Sequence, residues 1–117
     1  MSTHLEVEEI ALRNRSERPV SAVALRLYGE IDVLSADVLA ERLTEAAERH
    51  EIVIVGLAGV TFISAQGVVV LKQARALLRS RGGDLLLHRA EDLVRRVILL
   101  CGDDLLPLER PTPGRYR

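Results

Sequence analysis

Cysteine is almost absent from this chain. Cys101 stands alone among 117 residues, so no internal disulfide can form and no thiolate cluster can hold zinc. It falls in the apolar series Val94, Val97, Ile98, Cys101, which gives it the place of a small buried hydrophobe instead of a reactive thiol. Aromatics are nearly as scarce. There is no tryptophan, and Tyr28, Phe62 and Tyr116 offer no stacking platform for single-stranded nucleic acid. His4, His50 and His88 show no metal-ligand spacing, although His88 ends a strand-like run and is placed to lie near a site. An excess of one charge is missing too: 16 basic residues face 17 acidic ones, so no field is built to attract nucleic acid or an anionic membrane. The longest apolar stretch, around Ile52 to Val60, is far short of a membrane span, and the N-terminus lacks the basic-then-apolar pattern of a secretion signal. These absences read as a cytoplasmic protein without a membrane span, a metal or a cofactor.

What is present suits one domain with a real core: the length is that of a common single domain, and 48% of the residues are hydrophobic. Leu5 to Leu12 reads as a first strand and Arg13 to Pro19 as a charged turn. Val20 to Leu27 reads as a second strand closed by Gly29, with Val23, Leu25 and Leu27 on one face. Ser35 is the candidate N-cap of a first helix running to about Arg49, with Asp37 in its first turn. Val38, Leu39, Leu43, Ala46 and Ala47 form its apolar stripe. Ile52 to Leu57 is apolar enough for a central strand covered on both faces.

A second helix begins near Gln66, with Gly67, Val70, Leu71, Ala74, Leu77 and Leu78 on one face, and Gly82-Gly83 ends it. Asp84 to His88 is a short strand, and Glu91 to Cys101 is a third helix stopped by Gly102. Leu105 to Leu108 is placed as a last edge strand containing Pro107, and Pro111 to Arg117 as a frayed tail. The expected architecture is α/β: a mixed central sheet of about four to five strands packed with about three to four helices, in one domain over residues 1–110 and a tail over 111–117.

The segment Val53 to Gly67, VIVGLAGVTFISAQG, concentrates the functional expectation. There an apolar strand meets a polar turn that opens onto a helix. The first N–H groups of that helix are unpaired and carry the positive end of its dipole, so the turn from Thr61 to Gly67 can hold an anion or a phosphoryl group. An ordinary strand-to-helix connection with a capping residue accounts for the same sequence.

Gly29-Glu30-Ile31-Asp32, then Leu57-Ala58-Gly59-Val60-Thr61-Phe62-Ile63, then Gly82-Gly83, Val94-Arg95-Arg96-Val97 and Cys101-Gly102 occur in an order that resembles the STAS domain family. The resemblance covers roughly Leu5 to Leu108 and points to its soluble members, the anti-sigma factor antagonists. It implies a binding module in a bacterial partner switch. Such proteins bind an anti-sigma factor that is also a serine kinase, and phosphorylation at the start of the second helix turns them off. A phosphoserine adds about −1.5 to −2 charge, enough to repel an acidic partner surface without refolding the domain.

The chain departs from this pattern at the switch. Where the family has Asp-Ser-Ser-Gly, this sequence has Ser64-Ala65-Gln66-Gly67, with Gln66 at the phosphoacceptor position. An amide has no hydroxyl to phosphorylate and no charge to imitate a phosphate. Ser64 is either the cap of the second helix or a displaced acceptor. Thr61 is either a strand-end residue bonded to local backbone or another displaced acceptor. Asp32 matches the family's Gly-Glu-Leu-Asp loop, where it serves the partner surface; it also suits a turn that bonds backbone N–H groups. The resemblance thus implies a partner surface of Asp32, Ser35, Thr61, Ser64, Gln66 and Gly67, and a protein partner of the anti-sigma kinase type.

Two other classes compete. Asp32, Ser64 and His88 supply the residue types of a hydrolytic triad, but no nucleophile elbow and no phosphate-binding loop accompanies them, so the chain is not read as an enzyme. The alternative is a STAS scaffold for self-association, for pairing with other STAS chains, or for sensing a small ligand, with no sigma factor downstream.

Overall fold

A computed structural model describes residues 5–12, 20–101 and 105. Its elements run β1 (Leu5–Leu12), β2 (Ala22–Ile31), α1 (Val33–Arg49), β3 (Ile52–Ile63), α2 (Ala65–Ser80), β4 (Asp84–His88) and α3 (Asp92–Cys101). The expected α/β domain is present, with four strands in the order β1-β2-β3-β4. β1 pairs antiparallel with β2, and β2, β3 and β4 are parallel.

That order explains the layering. The two crossovers β2-α1-β3 and β3-α2-β4 advance in one direction, and right-handed connections that never reverse put their helices on the same face of the sheet. Val23, Leu25 and Leu27 of β2, Val53, Val55 and Leu57 of β3, and Leu85 and Leu87 of β4 therefore point together under α1, α2 and α3 and are buried. Each fully buried leucine in this layer contributes about 1.5–3 kcal/mol relative to leaving it exposed.

The opposite face carries no helix among the described residues. One row across it, Ile10–Ala24–Ile54–Leu86, is apolar on all four strands. The expectation that Ile52 to Leu57 is covered on both faces is thus corrected: Val53, Val55 and Leu57 are buried, whereas Ile52, Ile54 and Gly56 are only half-buried.

Other differences are local. β2 and β3 run past their expected ends because the ladder continues through Gly29, whose φ of 112° only glycine adopts readily, to the Ile31–Ile63 pair. Val38, placed in the apolar stripe of α1, is exposed, and Ala36 takes its place in the core. Cys101, expected to be buried, is exposed at the last position of α3; Val94 and Ile98 are that helix's buried residues. Leu105, expected to start an edge strand, is buried in 3₁₀ conformation against the core. The turn Arg13 to Pro19, Gly102 as helix stop, Leu106 to Leu108, the tail from Pro111, and His4 lie outside the described residues. Among the described residues, no helix is long and apolar enough to cross a membrane.

Candidate functional site

The carboxyl ends of β2 and β3 lie side by side and each opens onto a helix, so the two loops that follow share one edge of the domain. Ser64 N–H donates to the Ile31 carbonyl at 2.8 Å and ties the start of α2 to the residue before Asp32. This bond brings the two parts of the expected surface together.

Asp32, not Ser35, is the N-cap of α1. Its Oδ1 accepts from Leu34 N at 2.9 Å and from Ser35 N at 3.0 Å, while Ser35 Oγ accepts from Asp32 N at 3.0 Å in a reciprocal capping box. The Ser35 hydroxyl also donates to the Glu30 carbonyl at 2.8 Å. With 5% exposure, Ser35 acts on the shape of the loop from behind it. Asp37, expected in the first turn behind a Ser35 cap, lies beyond it, and α1 has no acidic residue in its first turn.

Ser64 caps α2, its Oγ accepting from Gly67 N at 3.2 Å. Gln66 follows in the first turn with its side chain exposed. Gly67 is buried because α2 begins hard against the strand ends: a Cβ there would come within 2.7 Å of Ile31 Cγ2 and 2.9 Å of Ile63 Cγ1. Thr61 Oγ1 donates to the Gly29 carbonyl on β2 at 3.4 Å, the strand-end role. The first turn of α2 carries no acidic residue, so no carboxylate within it offsets the positive end of the helix dipole.

Sequence reasoning overlooked the apolar residues that flank these loops. Val33 and Leu34 are each 68% exposed, Phe62 42% and Val69 40%. Leu34 could have been found from periodicity, since at about 100° per residue it falls far around the helix from Leu39. Val69 stands one turn after Gln66 and shares its outward face. These large apolar side chains stand exposed beside a polar helix start.

The residue types of a hydrolytic triad do not converge. His88 pairs in register with Gly56, whereas Ser64 lies eight residues further along β3 and its exit, roughly 25 Å away at the rise of a strand. His50 is occupied elsewhere, with Nδ1 2.7 Å from Ser21 Oγ.

Known proteins share the family and the fold of this chain. The STAS domain profile matches residues 14–109. The anti-sigma-F factor antagonist RsfA of Mycobacterium tuberculosis is 32% identical over 106 residues, 87% of this chain and 83% of that protein. The anti-sigma-B factor antagonist of Bacillus subtilis is 27% identical over 93 residues, covering 79% of this chain and 85% of its own length. The structure of the anti-sigma factor antagonist SpoIIAA in its unphosphorylated form superposes with a TM-score of 0.68 at 18% identity over 91% of this chain and 90% of that one, a likeness of fold.

Proposed function

The chain belongs to the STAS domain family, and from that premise we propose that it works as an anti-sigma factor antagonist, a non-enzymatic module that binds an anti-sigma factor of the serine-kinase type. The observation that carries this reading is the junction of the two helix starts. The Ser64–Ile31 bond holds the α2 turn beside the Asp32 capping box, with Gln66, Val33, Leu34, Phe62 and Val69 turned outward from those loops.

The same turn supports a switch that lacks its usual trigger. Gln66 sits where the family pattern has its phosphoacceptor and offers no hydroxyl. The hydroxyl of Ser64 is engaged with Gly67 N, and that of Thr61 with the Gly29 carbonyl. On this reading the surface is either permanently competent to bind or controlled by another input.

The test is affinity capture from the host, followed by incubation of the captured kinase and ATP with purified protein and intact-mass analysis. We expect an ATPase of the histidine-kinase-like class to be recovered, wild type to remain unmodified, and Gln66→Ser to gain one phosphoryl group. A phosphoryl group on Ser64 or Thr61 of wild type would overturn the unmodifiable switch. Recovery only of this chain or of other STAS chains would favour the scaffold reading.

A further inference from the structure

Charge is nearly balanced over the whole chain but unevenly shared between the two helices that begin at this edge. α1 carries Asp37, Glu41, Glu45 and Glu48 against Arg42 and Arg49, whereas α2 has no acidic residue. Arg42, the base next to Glu41, reaches Glu9 at 3.6 Å and Glu45 at 4.0 Å. Arg75 and Arg79 of α2 share Asp84, each at 3.0 Å. Among the described residues no ion pair or hydrogen bond reaches the carboxylate of Asp37 or of Glu41.

These two carboxylates stand among exposed apolar side chains. At about 100° per residue, Val33, Asp37, Glu41, Leu34 and Val38 fall in that order within one arc of about 140°, and at 1.5 Å per residue they span about 12 Å of helix. All five are exposed. Two local preferences are broken on this arc. Asp37 and Glu41 are four residues apart, a spacing at which like charges repel. Val33, Leu34 and Val38 occupy solvent positions that an amphipathic helix fills with polar residues, and the two valines are stiff at χ1. Local rules broken in this way are expected at functional sites, where a partner supplies the compensation.

We infer that the partner docks against α1 through a basic segment with an apolar centre. Its lysine or arginine side chains pair with Asp37 and Glu41, and its apolar side chains cover Val33, Leu34 and Val38. Charge complementarity selects this chemistry. An acidic segment would add to the repulsion between Asp37 and Glu41, and a wholly apolar one would desolvate two carboxylates without a counter-charge. This assignment rests on the α1/α2 edge being the partner surface, and adds the chemistry of what covers it.

The probe is a synthetic leucine–lysine peptide of helical period, titrated into the isotope-labelled full chain by amide NMR, with its leucine–glutamate counterpart as control. We expect saturable shifts centred on Val33 to Glu41 from the lysine peptide and none from the glutamate peptide. Affinity should weaken at least about tenfold when Asp37→Lys and Glu41→Lys are combined, and again when salt is raised from about 0.1 M to about 1 M. Both positions are exposed, so the double variant should unfold near the wild-type midpoint. Asp37→Asn with Glu41→Gln, which removes the charge without reversing it, should give an intermediate loss. Shifts centred on Glu8 and Glu9 of β1, or unaffected by the double reversal, would overturn the inference. Shifts of Val33 to Glu41 on dilution of the protein alone, and not with the peptide, would also overturn it and assign the face to a second copy of this chain. The same variants are then tested against the protein captured from the host. Capture lost with Gln66→Glu but kept with the double reversal would overturn the basic partner and leave the antagonist reading standing. Capture of a protein that is not an ATPase, lost with the double reversal, would keep the basic partner and overturn the antagonist reading.

Discussion

Replacing Gln66 by glutamate should raise the stability of the free protein and lower its affinity for the proposed anti-sigma partner. Gln66 is the second residue of α2, is exposed, and lies in a first turn without any acidic side chain. A carboxylate at such a position gains about 0.3–1 kcal/mol from the helix dipole at low ionic strength. Asp32 stands across the Ser64–Ile31 bond and opposes that gain, so the lower half of the range is expected. For a chain of this size that corresponds to a rise of about 1–3 °C in Tm, which should disappear near 1 M salt, where the screening length falls to about 3 Å.

Binding should respond in the opposite sense. Burying an unpaired carboxylate in a docked interface costs about 2–5 kcal/mol, a loss of about thirtyfold or more in Kd. Thermal scans at low and high salt and calorimetric titration of the purified partner read the two effects separately. A fall in Tm at low salt would refute the placement of Gln66 at the dipole's positive end. An unchanged Kd would remove Gln66 from the interface.

Other perturbations follow from the same geometry. Asp32→Ala removes the acceptor for Leu34 N and Ser35 N and should cost about 1 kcal/mol in urea unfolding, with Asp32→Asn retaining most of the stability. Gly83→Ala should cost about 3 kcal/mol in the same assay, because a Cβ there collides with the Glu51 carbonyl, which also accepts from Asp84 N at 3.0 Å and holds β4 beside β3. Burial pushes the Asp84 carboxyl up, but bonds from Arg79, Arg75 and Leu85 N outweigh it and hold its pKa below the ordinary value. Its contribution is therefore present above the pKa of the unfolded chain, about 4, and lost as the pH falls through the lower folded value. Urea midpoints measured from about pH 6 down to about pH 3 should fall more steeply for wild type than for Asp84→Asn.

The elements that depend on local patterns were legible in the chain. β1 and β4 match their expected limits because alternation and flanking turn residues bound them without help from elsewhere. The buried face of α2 and the Ser64 cap follow from helical spacing and from a hydroxyl at the helix start. That position 66 carries an amide and no hydroxyl is read from the sequence alone. The cap of α1 was less decidable, since Asp32 and Ser35 both have the side chain a cap needs; the folded loop uses Asp32 as cap and Ser35 as its reciprocal partner.

Tertiary structure decided whatever depends on the neighbours a side chain acquires. Periodicity marks Ile52 and Ile54 as apolar, but strand order and crossover handedness put all three helices on the other face and left these residues half-covered. Cys101 continues the apolar series of α3 and yet is exposed at the helix's last position. The placement of the Asp32 loop beside Ser64, through the Ser64–Ile31 bond, likewise exists only through parallel pairing of strands separated in sequence. Local propensity acts through the residues within a turn or two, so the chain by itself set most of its elements and the glutamine at the start of α2. The placement of all three described helices on one face of the sheet and the meeting of the two helix starts at one edge arose from long-range pairing.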